Sequence, residues 1–222
     1  MQQDLIILYG GGLDSGVTTT QAWQQNRNPL LLYFDYGAKA TRGELKSLAY
    51  VGDKFKFETM VVKIPPEIIP PSPLTEGAMI EAGESQLRNE VPGRNVLFAA
   101  LAFSLAKRRN IRAIWIGADP PTTWIGFKDS KQPTFDAFNS MTAYAYGEDA
   151  PRLYAPLLAM KDARYYIRYA LRSLPELFKV TFSCYESSTE EECGQCKHCI
   201  RKARLLADLQ AGIFETEKLE QE

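Results

Sequence analysis

Residues 5–15 decide the fold, and they read Leu-Ile-Ile-Leu-Tyr-Gly-Gly-Gly-Leu-Asp-Ser. The apolar run Leu5–Tyr9 is typical of a strand buried on both faces, and the three glycines after it predict a tight turn. A helical pattern continues over residues 14–25, so the segment predicts a strand, a glycine loop (Gly10–Gly12) and a helix. The first turn of such a helix directs free N–H groups and the positive end of the helix dipole at the loop, which can therefore hold an anion.

The glycine loop differs from two common phosphate-binding motifs. No Gly-Lys-Ser/Thr follows it, as in a Walker A loop, and it lacks the third glycine of the Gly-x-Gly-x-x-Gly fingerprint. Asp14 and Ser15 favour a nucleotide site, because a hydroxyl can donate to phosphate and a carboxylate can hold Mg²⁺. From the glycines alone, a tight turn without a ligand is the alternative.

Strands and helices alternate along the rest of the chain. Residues 64–92 are rich in proline and predict a long loop, whereas residues 96–108 are apolar almost all round and predict a helix buried against a sheet. We expect one α/β domain over residues 1–222, with a parallel twisted sheet and helices on both faces. The other predicted strands are 30–34, 59–63 and 113–116, and the other predicted helices are 43–55, 135–146, 162–173 and 200–211.

The composition excludes several classes of protein. The 222 residues carry 26 Lys+Arg against 27 Asp+Glu, and 45% are hydrophobic. The net charge of −1 argues against a disordered chain and against a surface built for duplex DNA or bulk RNA. The sequence has no apolar run near the roughly 20 residues that cross a bilayer, and it begins without the basic stretch of a signal peptide. We expect a cytoplasmic protein that does not bind membranes.

All four cysteines lie in one short segment, as Cys184, Cys193, Cys196 and Cys199. Four thiolates at this spacing can close a tetrahedral site around Zn²⁺, and a site closed by four sulfurs is structural. An iron–sulfur cluster and four free thiols are the alternatives. His198, the only histidine, could compete for one position, but the four cysteines already complete the set.

Three further motifs follow predicted strands or precede the buried helix. Phe34–Gly37 ends the second strand, Ile116–Asp119 ends the fourth, and Val91–Asn95 precedes the helix at 96–108. Arg94 can grip a carboxylate or phosphate with two parallel hydrogen bonds, and Asn95 is expected to cap the helix. Because the ends of parallel strands share one edge of a sheet, these motifs predict a ligand site beside the glycine loop.

The motifs together resemble one known family, the 7-cyano-7-deazaguanine synthases (QueC) of the PP-loop ATP pyrophosphatase group. The family's Ser-Gly-Gly-x-Asp-Ser corresponds to Gly10–Ser15, and its Phe-Asp-Tyr-Gly and Val-Pro-Gly-Arg-Asn correspond to Phe34–Gly37 and Val91–Asn95. Its Ser-x-Leu-Thr element is similar to Ser72–Thr75, and its zinc motif to the cysteine segment. The resemblance runs from about residue 5 to residue 204, in the family's order.

The resemblance implies an adenine-nucleotide α-hydrolase-like fold, a homodimer, structural Zn²⁺, ATP and Mg²⁺. The implied reaction is an ATP-dependent carbon–nitrogen ligation on the queuosine pathway. It converts 7-carboxy-7-deazaguanine and ammonia into the nitrile 7-cyano-7-deazaguanine (preQ0). Each carboxylate oxygen must leave on an activating group, so an acyl adenylate, an amide and a second activated species are the expected sequence.

The resemblance also implies roles for individual residues. Catalysis is expected of Asp14, Ser15 and Lys161, and substrate binding of Arg94, Asn95, Asp119 and Asp129. The nucleotide is expected at Tyr9, Gly10, Gly11, Gly12, Leu13, Asp14, Ser15, Gly16, Val17, Phe34 and Gly117, and the metal at the four cysteines.

The chain departs from the family pattern at several positions. Gly10 replaces the first motif serine, Ala38-Lys39 stand where the family usually has Gln-Arg, and Lys161 lies one position early. In the segment thought to meet the deazapurine, Asp129 is kept whereas the neighbouring cysteine and arginine are replaced.

Other functions stay open from the sequence alone. One is a divergent enzyme of the same family that adenylates another carboxylate, such as a protein terminus. Another is a nucleotide-binding protein that has lost catalysis, which Gly10 favours. A tRNA-thiolating enzyme is disfavoured, because the zinc site uses all four cysteines and the net charge is −1.

Overall fold

The computed structural model describes residues 2–75, 90–118, 127–158 and 174–211. The strands are β1 (Leu5–Leu8), β2 (Pro29–Asp35), β3 (Glu58–Lys63), β4 (Ala113–Ile116) and β5 (Arg152–Tyr154). The α-helices are α1 (Leu13–Gln24), α2 (Thr41–Phe55), α3 (Arg94–Arg109), α4 (Gln132–Tyr146), α5 (Pro175–Val180) and α6 (Lys197–Gln210). Two short 3₁₀ turns lie at Pro66–Ile68 and Lys128–Ser130.

The strands form one parallel sheet in the order β3-β2-β1-β4-β5. The central strand is β1, where Ile7 pairs with Leu31 of β2 on one side and with Trp115 of β4 on the other. The chain moves outward from β1 through β2 and β3, and then crosses to β4 on the opposite side. The boundary between β1 and β4 is thus the point where the strand order reverses, and open α/β sheets bind ligands at the carboxyl end of such a boundary.

Alternate residues of the central strands enter two separate cores. Ile6 and Leu8 face the core that α3 and α4 cover, whereas Leu5 and Ile7 face the core that α1, α2 and α5 cover. All four are buried, and each fully buried side chain of this size stabilises the fold by about 1.5–3 kcal/mol. The predicted parallel sheet with helices on both faces is therefore confirmed, as is the expected C-terminal cysteine loop followed by a helix.

Helix α1 keeps three consecutive threonines in its buried interior. The hydroxyls of Thr18, Thr19 and Thr20 donate to the carbonyls of Asp14, Ser15 and Gly16, at 2.8, 2.8 and 3.1 Å. These bonds satisfy polar groups that would otherwise be costly to bury. A sequence that is poor in strong helix formers therefore still forms a well-packed helix behind the glycine loop.

The structure differs from the sequence prediction in several elements. Helix α3 packs against the sheet as predicted, but it begins two residues earlier, and its apolar residues Val96 (48%) and Leu101 (36%) lie on an exposed side. Strand β5 and helix α5 were not predicted. The helix expected at 162–173, and residues 76–89 of the proline-rich loop, lie outside the described residues.

A search of the described helices for membrane spans finds none that is both long enough and apolar enough to cross a bilayer.

Candidate functional site

Gly11 of the glycine loop lies so close to helix α2 that this position has no room for a side chain. A Cβ on Gly11 would lie 2.6 Å from the main-chain Cα of Glu44, and the φ of Gly11 is +73°. Gly12 is the N-cap of α1 in an extended conformation and makes no side-chain capping hydrogen bond. The N–H groups of the first helical turn have no partners within the helix, so they point towards the loop as donors for an anion.

Gly117 completes the loop from the neighbouring strand. It follows β4, and a Cβ there would lie 2.7 Å from the main-chain carbon of Asp14 and 2.7 Å from the nitrogen of Ser15. The end of β4 therefore contacts the first turn of α1 through its backbone. This contact explains physically why a glycine occurs at this position, on the reversal point of the sheet.

The residues predicted to hold the nucleotide fall into two groups. Gly10 is exposed, and Leu13 and Asp14 are partly exposed at the start of α1. Tyr9, Ser15, Gly16, Val17 and Phe34 are buried, so the side chains among them serve the core in this structure.

The polar and aromatic side chains of that buried group have partners inside the protein. The Tyr9 hydroxyl shares a 2.7 Å hydrogen bond with Ser47, and the Ser15 hydroxyl donates to the carbonyl of Gly12 at 2.9 Å. The Phe34 ring stacks on Phe98 with centroids 4.5 Å apart. Donation from Ser15 to a phosphate therefore requires its hydroxyl to rotate.

Arg94 is the centre of a polar group at the same edge of the sheet. Its Nη1 donates to the Tyr36 hydroxyl at 3.0 Å, and its guanidinium lies 5.7 Å from the centre of the Tyr36 ring. The Asn95 amide donates to Ser130 at 3.0 Å, and Ser130 donates to Asp129 at 3.4 Å. The structure thus brings together Arg94, Asn95 and Asp129, three of the four residues predicted to bind substrate.

The predicted helix cap at Asn95 was wrong. Helix α3 begins at Arg94, and its N-cap is Gly93 with a φ of +78°. This left-handed residue turns the chain two positions earlier than the expected start, and it leaves the Asn95 amide available for Ser130. Asn95 therefore belongs to the polar group and not to the helix cap.

Glu44 was missed by the sequence analysis. It lies in the first turn of α2, where an acidic residue is common because it complements the helix dipole. Its Oε2 accepts a 2.6 Å hydrogen bond from the Tyr33 hydroxyl. Burial raises the pKa of Glu44 to about 7, although the Tyr33 hydrogen bond and the charge of Arg94 lower it. A carboxyl group with such a pKa can both accept and release a proton near neutral pH.

Tyr185 reaches the same region from the cysteine segment. Its ring packs against His198 with centroids 4.0 Å apart, and it adjoins the core formed with α3. Burial raises the pKa of Tyr185 to about 12, against a lowering effect from Arg94. Glu44 and Asp14 also act on this pKa, so Tyr185 lies within the electrostatic reach of both the glycine loop and the Arg94 group.

The four cysteines form the expected metal-binding arrangement. Their sulfurs all lie within 4.8 Å of one another, with separations of 3.4 Å for Cys196–Cys199, 3.9 Å for Cys193–Cys199 and 4.0 Å for Cys184–Cys196. Sulfurs at about 2.3 Å from a tetrahedral Zn²⁺ are about 3.8 Å apart, so the geometry fits zinc. The N–H of Cys196 points at the Cys193 sulfur at 3.4 Å and stabilises a thiolate there. His198 is not part of the group.

The segment that leads into the cysteines packs against the glycine loop and bonds to it. The Phe182 N–H donates to the Gly11 carbonyl at 2.8 Å, and a Cβ on Gly43 would lie 2.1 Å from the Phe182 ring. Lys202 of α6 is 7% exposed, bonds the Thr181 carbonyl, and forms a 3.0 Å ion pair with Glu192. The cysteine segment and the glycine loop therefore pack against each other.

Two predicted site residues, Asp119 and Lys161, lie outside the described residues.

Comparisons with known proteins place the chain in one family. The sequence model described as "Queuosine biosynthesis protein QueC" matches residues 4–210. The chain belongs to the QueC family. Family membership confirms the resemblance drawn from the glycine loop, the Arg94 motif and the cysteine spacing.

Similar proteins from several organisms share one name. A "7-cyano-7-deazaguanine synthase" of Microcystis aeruginosa is 30% identical over 226 residues, which cover 97% of this chain and 95% of that protein. A protein of the same name from Leptospira interrogans is 28% identical over 209 residues, which cover 90% of this chain and 84% of that protein. A solved structure titled as a predicted subunit of tRNA methyltransferase from Methanocaldococcus jannaschii has a TM-score of 0.45 at 15% identity, and covers 87% of this chain and 94% of that one.

Proposed function

We propose that this protein is an ATP-dependent ligase that converts 7-carboxy-7-deazaguanine and ammonia into 7-cyano-7-deazaguanine. The names of its relatives support this assignment. The structural observation that carries it is that the glycine loop and the Arg94 group lie at one edge of the sheet, joined by Glu44. The backbone of Glu44 packs against Gly11, and its carboxylate interacts electrostatically with Arg94.

The glycine loop would bind the phosphates of ATP. The free N–H groups of the first turn of α1 suit an anion, and Asp14 in that turn would hold the accompanying Mg²⁺. A carboxylate substrate then attacks the α-phosphorus, pyrophosphate leaves, and the acyl group is activated as an adenylate. The backbone donors are fixed before the reaction, so they stabilise the charge that develops on the phosphate without reorganisation.

The Arg94 group would hold the second substrate. The guanidinium of Arg94 is already oriented by Tyr36 and can form two parallel bonds to the acceptor carboxylate. Asp129 would accept hydrogen bonds from the N–H donors on the guanine-like edge of the deazapurine. Asp119 and Lys161 remain proposed members of the site, as substrate-binding and catalytic residues respectively.

The cysteine site would hold one structural Zn²⁺ per chain. Its role in the proposal is to fix the segment that carries Tyr185 and that supports the glycine loop. The family resemblance further suggests a homodimer that works in the cytoplasm, and both belong to the proposal.

The test is an assay for pyrophosphate release with 7-carboxy-7-deazaguanine and ammonia, followed by mass spectrometry for the nitrile. We expect nitrile from the wild-type protein and a loss of at least about 100-fold in Asp129→Ala, the scale expected when substrate is misplaced. Asp53→Ala is the matched control, because Asp53 is exposed near the far end of α2 and pairs only locally, with Lys56.

The same assay separates the alternatives. Pyrophosphate release that depends on a different carboxylate, without nitrile, would assign the protein to a divergent adenylating enzyme. ATP binding without pyrophosphate release from any carboxylate would indicate a nucleotide-binding protein. In the second case Gly10→Ser restores the family's serine in open space and tests whether that hydroxyl is the missing part.

A further inference from the structure

Glu44 is an acidic side chain that lies beside the glycine loop and interacts electrostatically with Arg94. Its Cα, Cβ and Cγ lie 2.6, 2.6 and 2.9 Å from where a Cβ of Gly11 would be, so Glu44 is directly beside the loop. Its carboxylate is held by the Tyr33 hydroxyl at 2.6 Å. No role for this residue emerged from the sequence motifs.

The carboxylate of Glu44 lies over the carboxyl ends of the strands. Tyr9 and Tyr33 belong to the side of the sheet covered by α2, whereas Tyr36 and Arg94 contact the side covered by α3. Glu44 lies in the first turn of α2, beside Gly11 at the end of β1, and its carboxylate accepts a hydrogen bond from Tyr33 near the end of β2. The charged and titratable groups that interact with it electrostatically are Tyr9, Tyr33, Asp35, Tyr36, Arg94 and Tyr185.

The chemistry proposed above needs a proton acceptor at this location. The activated acyl carbon must lie between the glycine loop, which holds the leaving phosphate, and Arg94, which holds the substrate. Ammonia has to reach that carbon, and every bond that its nitrogen makes to carbon releases a proton. A base near both groups is therefore required, and Glu44 is a carboxylate that lies beside the loop and interacts electrostatically with Arg94.

We propose that Glu44 is the catalytic base that removes protons from the nitrogen nucleophile. This inference rests on the proposed function and assigns a residue to its nitrogen-transfer steps. The Tyr33 hydroxyl acts as a positioning group, because it orients the carboxylate and does not itself meet the substrate.

Each of the three steps releases one proton from the nitrogen. The nitrogen lone pair attacks the acyl adenylate, the carbon–nitrogen bond forms, AMP leaves with the carbon–oxygen electron pair, and one N–H proton passes to Glu44. The amide oxygen then attacks a second ATP, pyrophosphate leaves, and a second proton passes to Glu44. Loss of the second AMP and of the last N–H proton gives the nitrile, and the carboxyl group returns each proton to solvent between steps.

The electrostatics of Glu44 suit repeated transfer. Burial raises its pKa to about 7, so the carboxyl group is neither permanently ionised nor permanently neutral at physiological pH. A base with a pKa near the working pH is the most effective, and such a base typically contributes about 100- to 10,000-fold to the rate.

The experiment compares two half-reactions in Glu44→Gln. The glutamine keeps the size of the side chain and an acceptor for Tyr33, which preserves the fold. We expect pyrophosphate release with the carboxylate alone to fall less than about fivefold, and amide and nitrile formation from ammonia to fall about 100-fold or more. Hydroxylamine, a weaker base that is unprotonated at neutral pH, should still trap the acyl adenylate in the variant. Glu67→Gln is the control, since Glu67 is exposed in the loop after β3.

The variant Tyr33→Phe tests the role of Glu44 through the pH profile of amide formation, which would not shift if Glu44 were only structural. The Tyr33 hydrogen bond lowers the pKa of Glu44, so its removal raises that pKa. The acid limb of the pH profile for amide formation should therefore shift to higher pH in Tyr33→Phe and disappear in Glu44→Gln.

Equal losses in both half-reactions, or amide formation within twofold of the wild type, would overturn the assignment of Glu44 while leaving the proposed function in place. Absence of pyrophosphate release in the wild-type protein would instead overturn both.

Discussion

The packing of Gly11 against the main chain of helix α2 gives the sharpest prediction, for the substitution Gly11→Ala. The new Cβ would lie 2.6 Å from the Cα of Glu44, a main-chain atom that cannot rotate away. The φ of +73° adds a second cost, because a left-handed backbone disfavours a non-glycine residue by roughly 1–2 kcal/mol. Forcing an extra carbon into a packed region costs typically about 1–3 kcal/mol more. The expected loss in the free energy of unfolding is therefore about 2–5 kcal/mol.

The neighbouring glycine is a matched control. A Cβ on Gly10 would meet no heavy atom within 4 Å, and its φ is not in the left-handed region. Gly10→Ala should therefore change the free energy of unfolding by less than about 0.5 kcal/mol, as at other unconstrained surface positions. The two variants differ by one position, so local sequence and composition are the same.

Urea denaturation followed by tryptophan fluorescence measures the difference. Trp115 is 8% exposed and reports on the sheet next to the loop. A domain of this size loses roughly 2–4 °C of Tm per kcal/mol, so Gly11→Ala should melt about 4–20 °C below the wild type. If Gly11→Ala matched Gly10→Ala within about 0.5 kcal/mol, the argument from close packing would be refuted.

Three further outcomes are expected. Elemental analysis should find about one zinc per chain in the wild type and none in Cys196→Ser, which should also be less stable because metal binding contributes folding energy; equal zinc content in both would contradict the site. Arg94→Lys should raise the KM for the carboxylate substrate about 10- to 100-fold with the KM for ATP little changed, since lysine cannot form the two-point grip; steady-state kinetics test this. Glu44→Gln should be more stable than the wild type above pH 7, by up to about 3 kcal/mol, because the folded state holds the Glu44 proton more tightly (pKa about 7) than the unfolded state (4.5). That advantage shrinks as pH falls from 7 to 4.5, and coincident urea curves at pH 8 would contradict it.

The features that were predictable from the sequence are those with local signals. Leu5–Leu8 and Pro29–Asp35 are uninterrupted apolar runs that glycine or aspartate terminates, and such runs specify buried parallel strands without knowledge of their partners. The cysteine spacing is also local, because four thiols that could hold one metal lie within one loop and the start of one helix. Fold class and metal site therefore followed from short stretches of chain.

The features that escaped prediction depend on distant contacts. Strand β5 has three residues, of which only Leu153 is buried, and it carries no periodic signal. Val96 and Leu101 are apolar yet exposed, because the curvature of a helix over a sheet leaves one side uncovered whatever its composition. The raised pKa of Glu44 comes from burial among distant elements, with effects from Tyr33 and Arg94, so in the sequence Glu44 looks like an ordinary glutamate in the first turn of a helix.

The hydrogen bond from Phe182 to Gly11 also has a consequence for protein synthesis. The ribosome makes Gly11 well before the residues that support it, because Phe182 follows Gly11 by 171 residues and Lys202 follows it by 191. At about 5–20 residues per second, the loop waits roughly 9 to 38 seconds for that support. A nascent chain can form β1 and β2 early, but its glycine loop is completed only after the segment that contains Phe182 and Lys202 has been made.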